Sequence, residues 1–280
     1  MSLLPFALAA LAPRAPRAPR AQPTADRQCP RGALPAYAHN DYLNPQPLAG
    51  ALALGYKGVE ADVFLVEGRL QLGHERRAAE RAGRFETLYL QPLRTLVAHC
   101  GTLTADGQPF LLTLEIKESS RPTFDTLVAL LARYPDLFAR DSAAAAAAGN
   151  GAPPVRAVLV GWYPPGFADS VPIPLSRQAR LERAGRPPHD AADPSVGLIG
   201  LDYQETMGRW YRTPAQRRQW LSGIRATRAA FPALRIRAYH VPVKEDVYRD
   251  LLGAGVDLIG TQDLAESARL LNRFAAAQRR

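Results

Sequence analysis

The sequence has few cysteines, methionines and lysines. Its 280 residues include two cysteines, two methionines and three lysines. Cys29 and Cys100 either form one disulfide in an oxidising compartment or remain two unrelated thiols. Their spacing has the form of neither a metal site nor a redox motif, so we expect no cysteine-based metal or redox centre.

Long apolar runs are also absent. No window approaches the roughly 20 apolar residues that a membrane span needs, which excludes a membrane-spanning body. We find no internal repeat, no P-loop and no nucleic-acid-binding signature, so no nucleic acid is expected as a partner. With 47% hydrophobic residues, the chain can nevertheless bury one large core.

The charge balance is strongly basic. The formal net charge is +9, and arginine greatly outnumbers lysine. This balance favours an anionic partner without choosing between phospholipid surfaces, nucleic acids and small phosphate esters. A solvated basic surface explains it equally well.

The N-terminal residues have the composition of a leader. Leu3–Ala12 is as long as the apolar core of a signal peptide, and a Pro/Arg-rich stretch follows it. The basic residues that usually precede such a core are missing. We predict a signal peptide and leader over residues 1–32, a single domain over residues 33–275, and a secreted or periplasmic location.

Eight short strand-like runs mostly alternate with segments of helical periodicity. The predicted strands are Leu34–Ala38, Gly58–Phe64, Phe110–Ile116, Val155–Val160, Val171–Leu175, Val196–Leu201, Leu234–His240 and Val256–Gly260. The helical segments include Pro47–Leu54, Thr123–Arg133, Thr213–Ala230 and Val243–Leu252. Eight strands that alternate with helices predict an α/β fold, a closed parallel (β/α)8 TIM barrel.

Three further segments bear on the barrel ends. Gly68 lies in a turn between two alternating segments, which predicts a hairpin that carries His74 back over the mouth of the barrel. Asp141–Pro154 is of low complexity and is expected as a loop. Gln178–Pro194 is a second expected loop, with His189 at the surface.

Two carboxylates lie on one face of a predicted strand. Glu60 and Asp62 are two residues apart in an otherwise apolar run, and the period of a strand turns both to the same side. Buried carboxylates are costly unless they are paired, hydrogen-bonded or bound to a metal. His39 ends the preceding predicted strand and His74 follows Asp62 by 12 residues. Two imidazoles and two acids near the ends of neighbouring elements indicate a site.

Glu115 and Lys117 repeat this pattern on the third predicted strand. Three carboxylates against one interior lysine leave a net negative charge, which a hard divalent cation with oxygen ligands would neutralise. Mg²⁺ and Ca²⁺ both suit such a site. The structural alternative is a Glu60–Lys117 ion pair that fills the barrel.

The order of these motifs resembles a known superfamily. HNDY at residues 39–42, GVEADVFLVEGRLQLGH at 58–74 and LEIK at 114–117 are similar to the glycerophosphodiester phosphodiesterase-like, or PLC-like phosphodiesterase, superfamily. Within it, the pattern is most similar to the altered inheritance of mitochondria protein 6 group. The resemblance implies a metal-dependent phosphodiester hydrolase with one divalent cation. Its implied metal ligands are Glu60, Asp62 and Glu115, and its implied acid–base pair is His39 and His74.

The sequence departs from the superfamily after the first histidine. Many members have His-Arg-Gly there, with the arginine helping to bind phosphate, whereas Asn40 follows His39 in this chain. Asn40 can donate a hydrogen bond to phosphate or ligate the metal through its carbonyl, but it brings no charge, so glycerophosphodiester specificity is in doubt. Lys117 is expected to hold phosphate oxygens and Tyr239 to contact the substrate. His240 is expected at the rim.

The expected substrate is a small or lipid-derived phosphodiester, cleaved by a monomer that contacts anionic membrane surfaces peripherally. One alternative is a catalytically idle barrel that binds anionic lipid or phosphosugar. Another is a phospholipase D-like enzyme, similar to venom sphingomyelinase D, in which the substrate's own hydroxyl forms a cyclic phosphate. A glycosidase using Glu60 and Glu115 ranks last, because it leaves both histidines and Lys117 without a role.

Overall fold

The computed structural model of the chain describes residues 29–79, 83–139, 152–182, 186–208 and 213–278. The predicted signal peptide lies outside these residues, as do residues 141–151 of the predicted loop Asp141–Pro154. Across the described ranges, no helix combines the length and the apolar character that crossing a membrane requires.

Eight parallel strands close into a barrel, and a ninth strand pairs antiparallel with the end of one of them. The strands are β1 (Ala36–Ala38), β2 (Gly58–Val66), β3 (Arg69–Leu72), β4 (Phe110–Ile116), β5 (Val155–Gly161), β6 (Ser176–Arg180), β7 (Val196–Asp202), β8 (Arg235–Tyr239) and β9 (Leu258–Thr261). Apart from β3, each strand pairs in parallel with the next, and β1 pairs with both β9 and β2. This closure confirms the predicted (β/α)8 TIM barrel.

Helices connect the strands. They are α1 (Ala49–Ala53), α2 (Arg76–Ala79), α3 (Gln91–Cys100), α4 (Arg121–Leu131), α5 (Pro135–Phe138), α6 (Pro214–Ala230), α7 (Glu245–Gly253) and α8 (Leu264–Gln278). Short 3₁₀ turns span Asp41–Leu43 and Phe167–Asp169, and single π turns span Glu86–Leu90 and Gln204–Gly208. α6 begins at a capping box, in which Thr213 and Gln216 each bond the other's backbone N–H. The four predicted helical segments are confirmed by α1, α4, α6 and α7.

The predicted strand Val171–Leu175 is wrong, because β6 occupies the next five residues, Ser176–Arg180. The predicted segment contains Pro172 and Pro174, which have no N–H to give to a sheet ladder. The true strand reads SRQAR and lacks the apolar run of its neighbours. Its polar side chains find partners inside the protein, since Ser176 donates to the carbonyl of Ala157. β6 also takes the first residues of the second expected loop.

The predicted hairpin is confirmed. Val63–Val66 of β2 pairs antiparallel with β3, and this part of β2 extends beyond its pairing with β4. Glu67 and Gly68 at the turn have φ angles of 48° and 72°. Positive φ at both central residues is the type I′ geometry that matches the twist of a hairpin, and glycine adopts it without strain.

The barrel interior combines a small apolar cluster with buried charge. Its apolar members are Tyr37, Leu111, Val158, Leu198 and Leu258. A larger apolar core fills the space between the outer face of the strands and the helices. The interior is therefore packed, as in other barrels of this type.

Cys29 and Cys100 form a disulfide across 71 residues. The bond joins the segment before β1 to the last residue of α3. The structure thus pairs two cysteines whose pairing the sequence left open.

Candidate active site

The C-terminal ends of β2 and β4 bring the three predicted acids together. Glu60 and Asp62 belong to β2, and the strand register pairs Asp62 with Glu115 of β4. One oxygen from each carboxylate lies within 4.8 Å of the other two. Glu60 and Asp62 are buried, whereas Glu115 is half-buried. Barrel enzymes place their active sites at this end of the strands.

Glu60 is paired with an arginine that the sequence analysis did not select. Nη1 of Arg237 donates to Oε2 of Glu60 and, at 3.1 Å, to Oγ1 of Thr113. The guanidinium also lies 4.9 Å from the ring centroid of Tyr37. Desolvation alone would raise the pKa of Glu60, but Arg237, with smaller contributions from His39 and Lys117, holds that pKa below its usual value. The structural alternative, a Glu60–Lys117 ion pair, is therefore not the pairing that the structure shows.

Lys117 instead bridges the other two carboxylates. Its Nζ lies 3.0 Å from Oδ2 of Asp62 and 3.0 Å from Oε1 of Glu115. Desolvation and the neighbouring carboxylates of Glu115 and Glu60 raise the pKa of Asp62. The prediction of a single interior cation is also wrong, because Arg237 is a second one. Three carboxylates against two cations still leave one formal negative charge.

Two buried oxygens test whether this group suits a metal ion. Oδ1 of Asp62 and Oδ1 of Asn40 are both buried, and neither has a hydrogen-bond partner among the described residues. Leaving such oxygens unsatisfied costs free energy, and hard divalent cations bind oxygen ligands of this kind. Arg237 bonds Oε2 of Glu60, which leaves Oε1 of that carboxylate as a further ligand atom. The donor set therefore fits Mg²⁺ or Ca²⁺.

His39 lies beside the acids. Its backbone N–H donates to Thr261 at 2.9 Å, and its Nε2 is 3.6 Å from Oε1 of Glu60. Desolvation lowers the pKa of His39 to about 4, with further lowering by His240 and Arg237. The imidazole is therefore neutral at neutral pH and has a nitrogen able to accept a proton.

His74 approaches the same acids from the hairpin. It follows β3, and its side chain is 58% exposed. Its Nδ1 lies 3.1 Å from Oδ2 of Asp62, an oxygen that also accepts a 2.7 Å hydrogen bond from Tyr42. The two predicted histidines thus contact two different carboxylates of one cluster, Glu60 for His39 and Asp62 for His74.

The remaining predicted residues lie around these groups. Asn40 is buried in left-handed backbone directly after His39, with φ of 51°. The ring centroid of Tyr239 lies 6.0 Å from that of His39. His240 contacts Asp202 through Nδ1 at 3.1 Å, and its side chain is 43% exposed. The expected rim position of His240 therefore includes a carboxylate partner.

Arg237 and Asp202 are the residues that sequence reasoning missed. Arg237 lies within the predicted strand Leu234–His240, where Arg235, Arg237 and Tyr239 share one face. The same spacing rule that selected Glu60 and Asp62 would have selected this arginine as an interior charge. Asp202 carried no comparable signal, because it directly follows an apolar run and resembles an ordinary strand end.

Comparisons with known proteins match part of the chain. Residues 31–109 match the model of the AIM6-like phosphodiesterase domain. The altered inheritance of mitochondria protein 6 homolog of Arthroderma benhamiae is 27% identical over an alignment of 118 residues, and the match covers 35% of this chain and 38% of that protein. The corresponding protein of Lachancea thermotolerans is 42% identical over 64 residues, 22% of this chain and 15% of that protein. These matches confirm the resemblance, and the chain spans well under half the length of these relatives.

Solved structures also align with the chain. A glycerophosphodiester phosphodiesterase from Agrobacterium tumefaciens aligns with a TM-score of 0.48 at 15% identity, covering 84% of this chain and 98% of that one. A tryptophan synthase α-subunit from Pyrococcus furiosus aligns with a TM-score of 0.47 at 12% identity, covering 89% and 100%.

Proposed function

We propose that the protein is a metal-dependent phosphodiester hydrolase that uses His39 and His74 as its acid–base pair. The observation that carries this proposal is the acidic cluster at the barrel mouth. There the unpartnered Oδ1 of Asp62 lies in a cluster with the carboxylates of Glu60 and Glu115. The match to a phosphodiesterase domain model supports the reaction class.

Cleavage of a phosphodiester requires neutralisation of its charge, a base for the nucleophile and an acid for the leaving oxygen. Glu60, Asp62 and Glu115, with the carbonyl of Asn40, would hold a divalent cation, which supplies Lewis-acid stabilisation of the phosphoryl oxygens when bound. Lys117 lies within 3.0 Å of two of these carboxylates and adds positive charge for a nonbridging oxygen.

The two histidines supply the proton transfers. His39 is neutral at neutral pH and nearly buried, which suits a group that removes a proton from the nucleophile. His74 is exposed on the hairpin and is held by Asp62, so it is accessible to a leaving group at the mouth. We therefore favour His39 as the base and His74 as the acid.

The substrate class follows from the mouth of the barrel. Lys117 and the basic surface favour a small or lipid-derived phosphodiester, with Tyr239 beside the alcohol portion. We further propose that the enzyme acts as a monomer and contacts anionic membrane surfaces peripherally, in keeping with its net charge of +9.

A substrate screen with and without chelator tests the function. Glycerophosphodiesters, lysophospholipids and bis-p-nitrophenyl phosphate are incubated with the protein in Mg²⁺, in Ca²⁺ and in EDTA. We expect hydrolysis of at least one substrate, loss of hydrolysis in EDTA and its return with metal. Phosphorus NMR of the products separates a phosphomonoester from the cyclic phosphate of a phospholipase D-like reaction.

One observation favours the idle barrel as a second candidate. Arg237 and Lys117 already pair with all three carboxylates, so the cluster is largely neutralised by the chain itself. An idle barrel would bind an anionic lipid or phosphosugar and hydrolyse none of the substrates. Full activity in EDTA would instead contradict the proposal that hydrolysis depends on a metal ion.

A further inference from the structure

Among the described residues, packing rather than a hydrogen bond orients the ring of His39. Within the described residues its nearest charged neighbour is Glu60, at 3.6 Å, which is too long for a hydrogen bond. The backbone bond to Thr261 fixes the main chain only. Because the second torsion of a histidine side chain is broad, the rings around it must decide how the imidazole faces the site.

One of those rings is His240. Its centroid lies 4.9 Å from that of His39, with an interplanar angle of 83°. This edge-to-face arrangement is the favourable one for two rings. The other neighbouring ring, Tyr239, is farther from His39, at 6.0 Å, and tilted by 36°. His240 therefore makes the closer ring contact with His39.

His240 reaches this place against the alternation of its strand. Arg237 and Tyr239 of β8 share the inward face, so the next residue would point away from the interior. The backbone of His240 has a φ of 53°, in the left-handed region that residues other than glycine seldom adopt. That conformation turns the ring into the mouth instead. Strained backbone of this kind persists where the surrounding contacts determine it, and it clusters at functional sites.

Asp202 fixes the ring in turn. Its Oδ2 lies 3.1 Å from Nδ1 of His240, and its Oδ1 accepts the backbone N–H of Glu205 at 3.0 Å. A carboxylate only accepts hydrogen bonds when ionised, so this contact assigns the proton of His240 to Nδ1. The carboxylate, the imidazole and the left-handed backbone together leave His240 little freedom to rotate.

We propose that His240, oriented by Asp202, is a positioning residue that holds the ring of His39 in its reactive orientation. The catalytic consequence rests on the proposed function, whereas the structural consequence for the ring of His39 does not. Losing the contact frees the ring of His39 while leaving its backbone in place. Misplacement of a reacting group by about 1 Å costs up to about 10²-fold in rate.

The first test observes the ring directly. The protein is labelled with ¹⁵N-histidine, and the imidazole signals are assigned with His39→Gln. We expect His240→Asn to shift or broaden the signals of His39. Asparagine tolerates positive φ and can still donate to Asp202, so this change removes mainly the ring. The matched control is His189→Asn, since His189 is 88% exposed and should leave the signals of His39 unchanged.

The second test uses rate. His240→Asn should lower kcat by about 10- to 100-fold with KM within about twofold, and Mg²⁺ affinity by calorimetry should not change. In a His39→Ala background the same substitution should cost nothing further, because residues that act through one another are not additive. Asp202→Asn, which leaves His240 itself unchanged, should lower kcat in the same way but by less than His240→Asn. It replaces His240→Asn in this test if that variant does not fold.

The outcomes separate this proposal from the proposed function. Unchanged His39 signals in both variants would overturn the positioning role, whatever the activity. Altered His39 signals in a protein that hydrolyses no substrate would support the positioning role while contradicting the hydrolase. Equal rate losses in the wild-type and His39→Ala backgrounds would show that His240 acts independently of His39.

Discussion

The guanidinium of Arg237 meets the carboxylate of Glu60 across the barrel interior, and both side chains are at least 97% buried. The strands that carry them, β8 and β2, are not neighbours in the sheet. The ion pair therefore ties two non-adjacent strands of the barrel wall together at the site.

Arg237→Met should destabilise the protein by about 3–5 kcal/mol, because it leaves the carboxylate of Glu60 buried without its partner. Urea unfolding measures the loss. Arg249→Met is the matched control, since its ion pair with Glu245 is exposed and should be worth less than about 1 kcal/mol. Adding Glu60→Gln to Arg237→Met should recover part of the loss. Equal losses for the two arginine variants would contradict this account.

Lys117→Met should change metal binding and catalysis in opposite directions. Removing a positive charge 3.0 Å from two carboxylates should tighten Mg²⁺ or Ca²⁺ binding by about tenfold. The lysine ammonium would no longer compete with the metal ion for those oxygens. The same change should lower kcat, because the phosphate loses a cation. Calorimetry and steady-state rates measure the two effects. Lys244→Met, at an exposed lysine, should alter neither.

Glu115→Gln should weaken cation binding. Glu115 is the half-buried member of the acidic cluster, so its substitution disturbs the packing of the barrel interior less than a change at Glu60 or Asp62 would. A neutral amide is a poorer ligand for a hard cation than a carboxylate, and we expect calorimetry to show at least about tenfold weaker binding. Glu266→Gln, at an exposed residue, is the control. Unchanged affinity would remove Glu115 from the ligand set.

His39→Ala and His74→Ala should each lower kcat by roughly 10²–10⁴-fold on an alkyl phosphodiester. The roles differ on a substrate with p-nitrophenolate as its leaving group, which departs without an acid. We expect His74→Ala to be partly rescued on it and His39→Ala not to be. The reverse pattern would exchange the roles of base and acid, and wild-type rates in both variants would favour the idle barrel.

Reduction of the Cys29–Cys100 disulfide should lower the free energy of unfolding. By chain entropy alone, cross-linking residues 71 apart constrains the unfolded state by about 4 kcal/mol. Thermal unfolding with and without dithiothreitol measures the effect, and Cys100→Ser should reproduce it without reductant. Identical melting temperatures in all three samples would show that the bond adds no stability.

The fold could be predicted because most of the strands are apolar runs that can be recognised in the sequence. β4 has the predicted bounds, and β2 differs from its prediction only by the extension into the hairpin. β6 was missed because its interior positions hold Gln178 and other polar groups that bond within the barrel. Tertiary partners, which periodicity does not reveal, make that strand stable.

The positions of the acids could also be predicted from a local sequence pattern. The cations that pair with them could not. Spacing alone put Glu60 with Asp62 on one face and Glu115 with Lys117 on another, and the resemblance made the three acids metal ligands. Which cation meets which acid depends on strands more than 100 residues apart, as in the pair of Glu60 with Arg237. The sequence shows the lysine two residues from Glu115 and does not show the distant arginine reaching the same space.

His74 is carried by an element that lies outside the closed barrel. In the part of the chain that the structure describes, β2 is the one named strand that pairs with β3, and Gln71 of β3 also forms an isolated bridge with Arg84. Gly73 leaves no room for a side chain against Ala79. The integrity of the barrel and the completeness of its acid–base pair are therefore separable properties. A substitution such as Gly73→Ala can displace His74 from Asp62 while the eight parallel strands stay paired. A protein damaged in this way would melt close to the wild-type temperature and still fail to turn over, so stability alone is no guide to whether the site is intact.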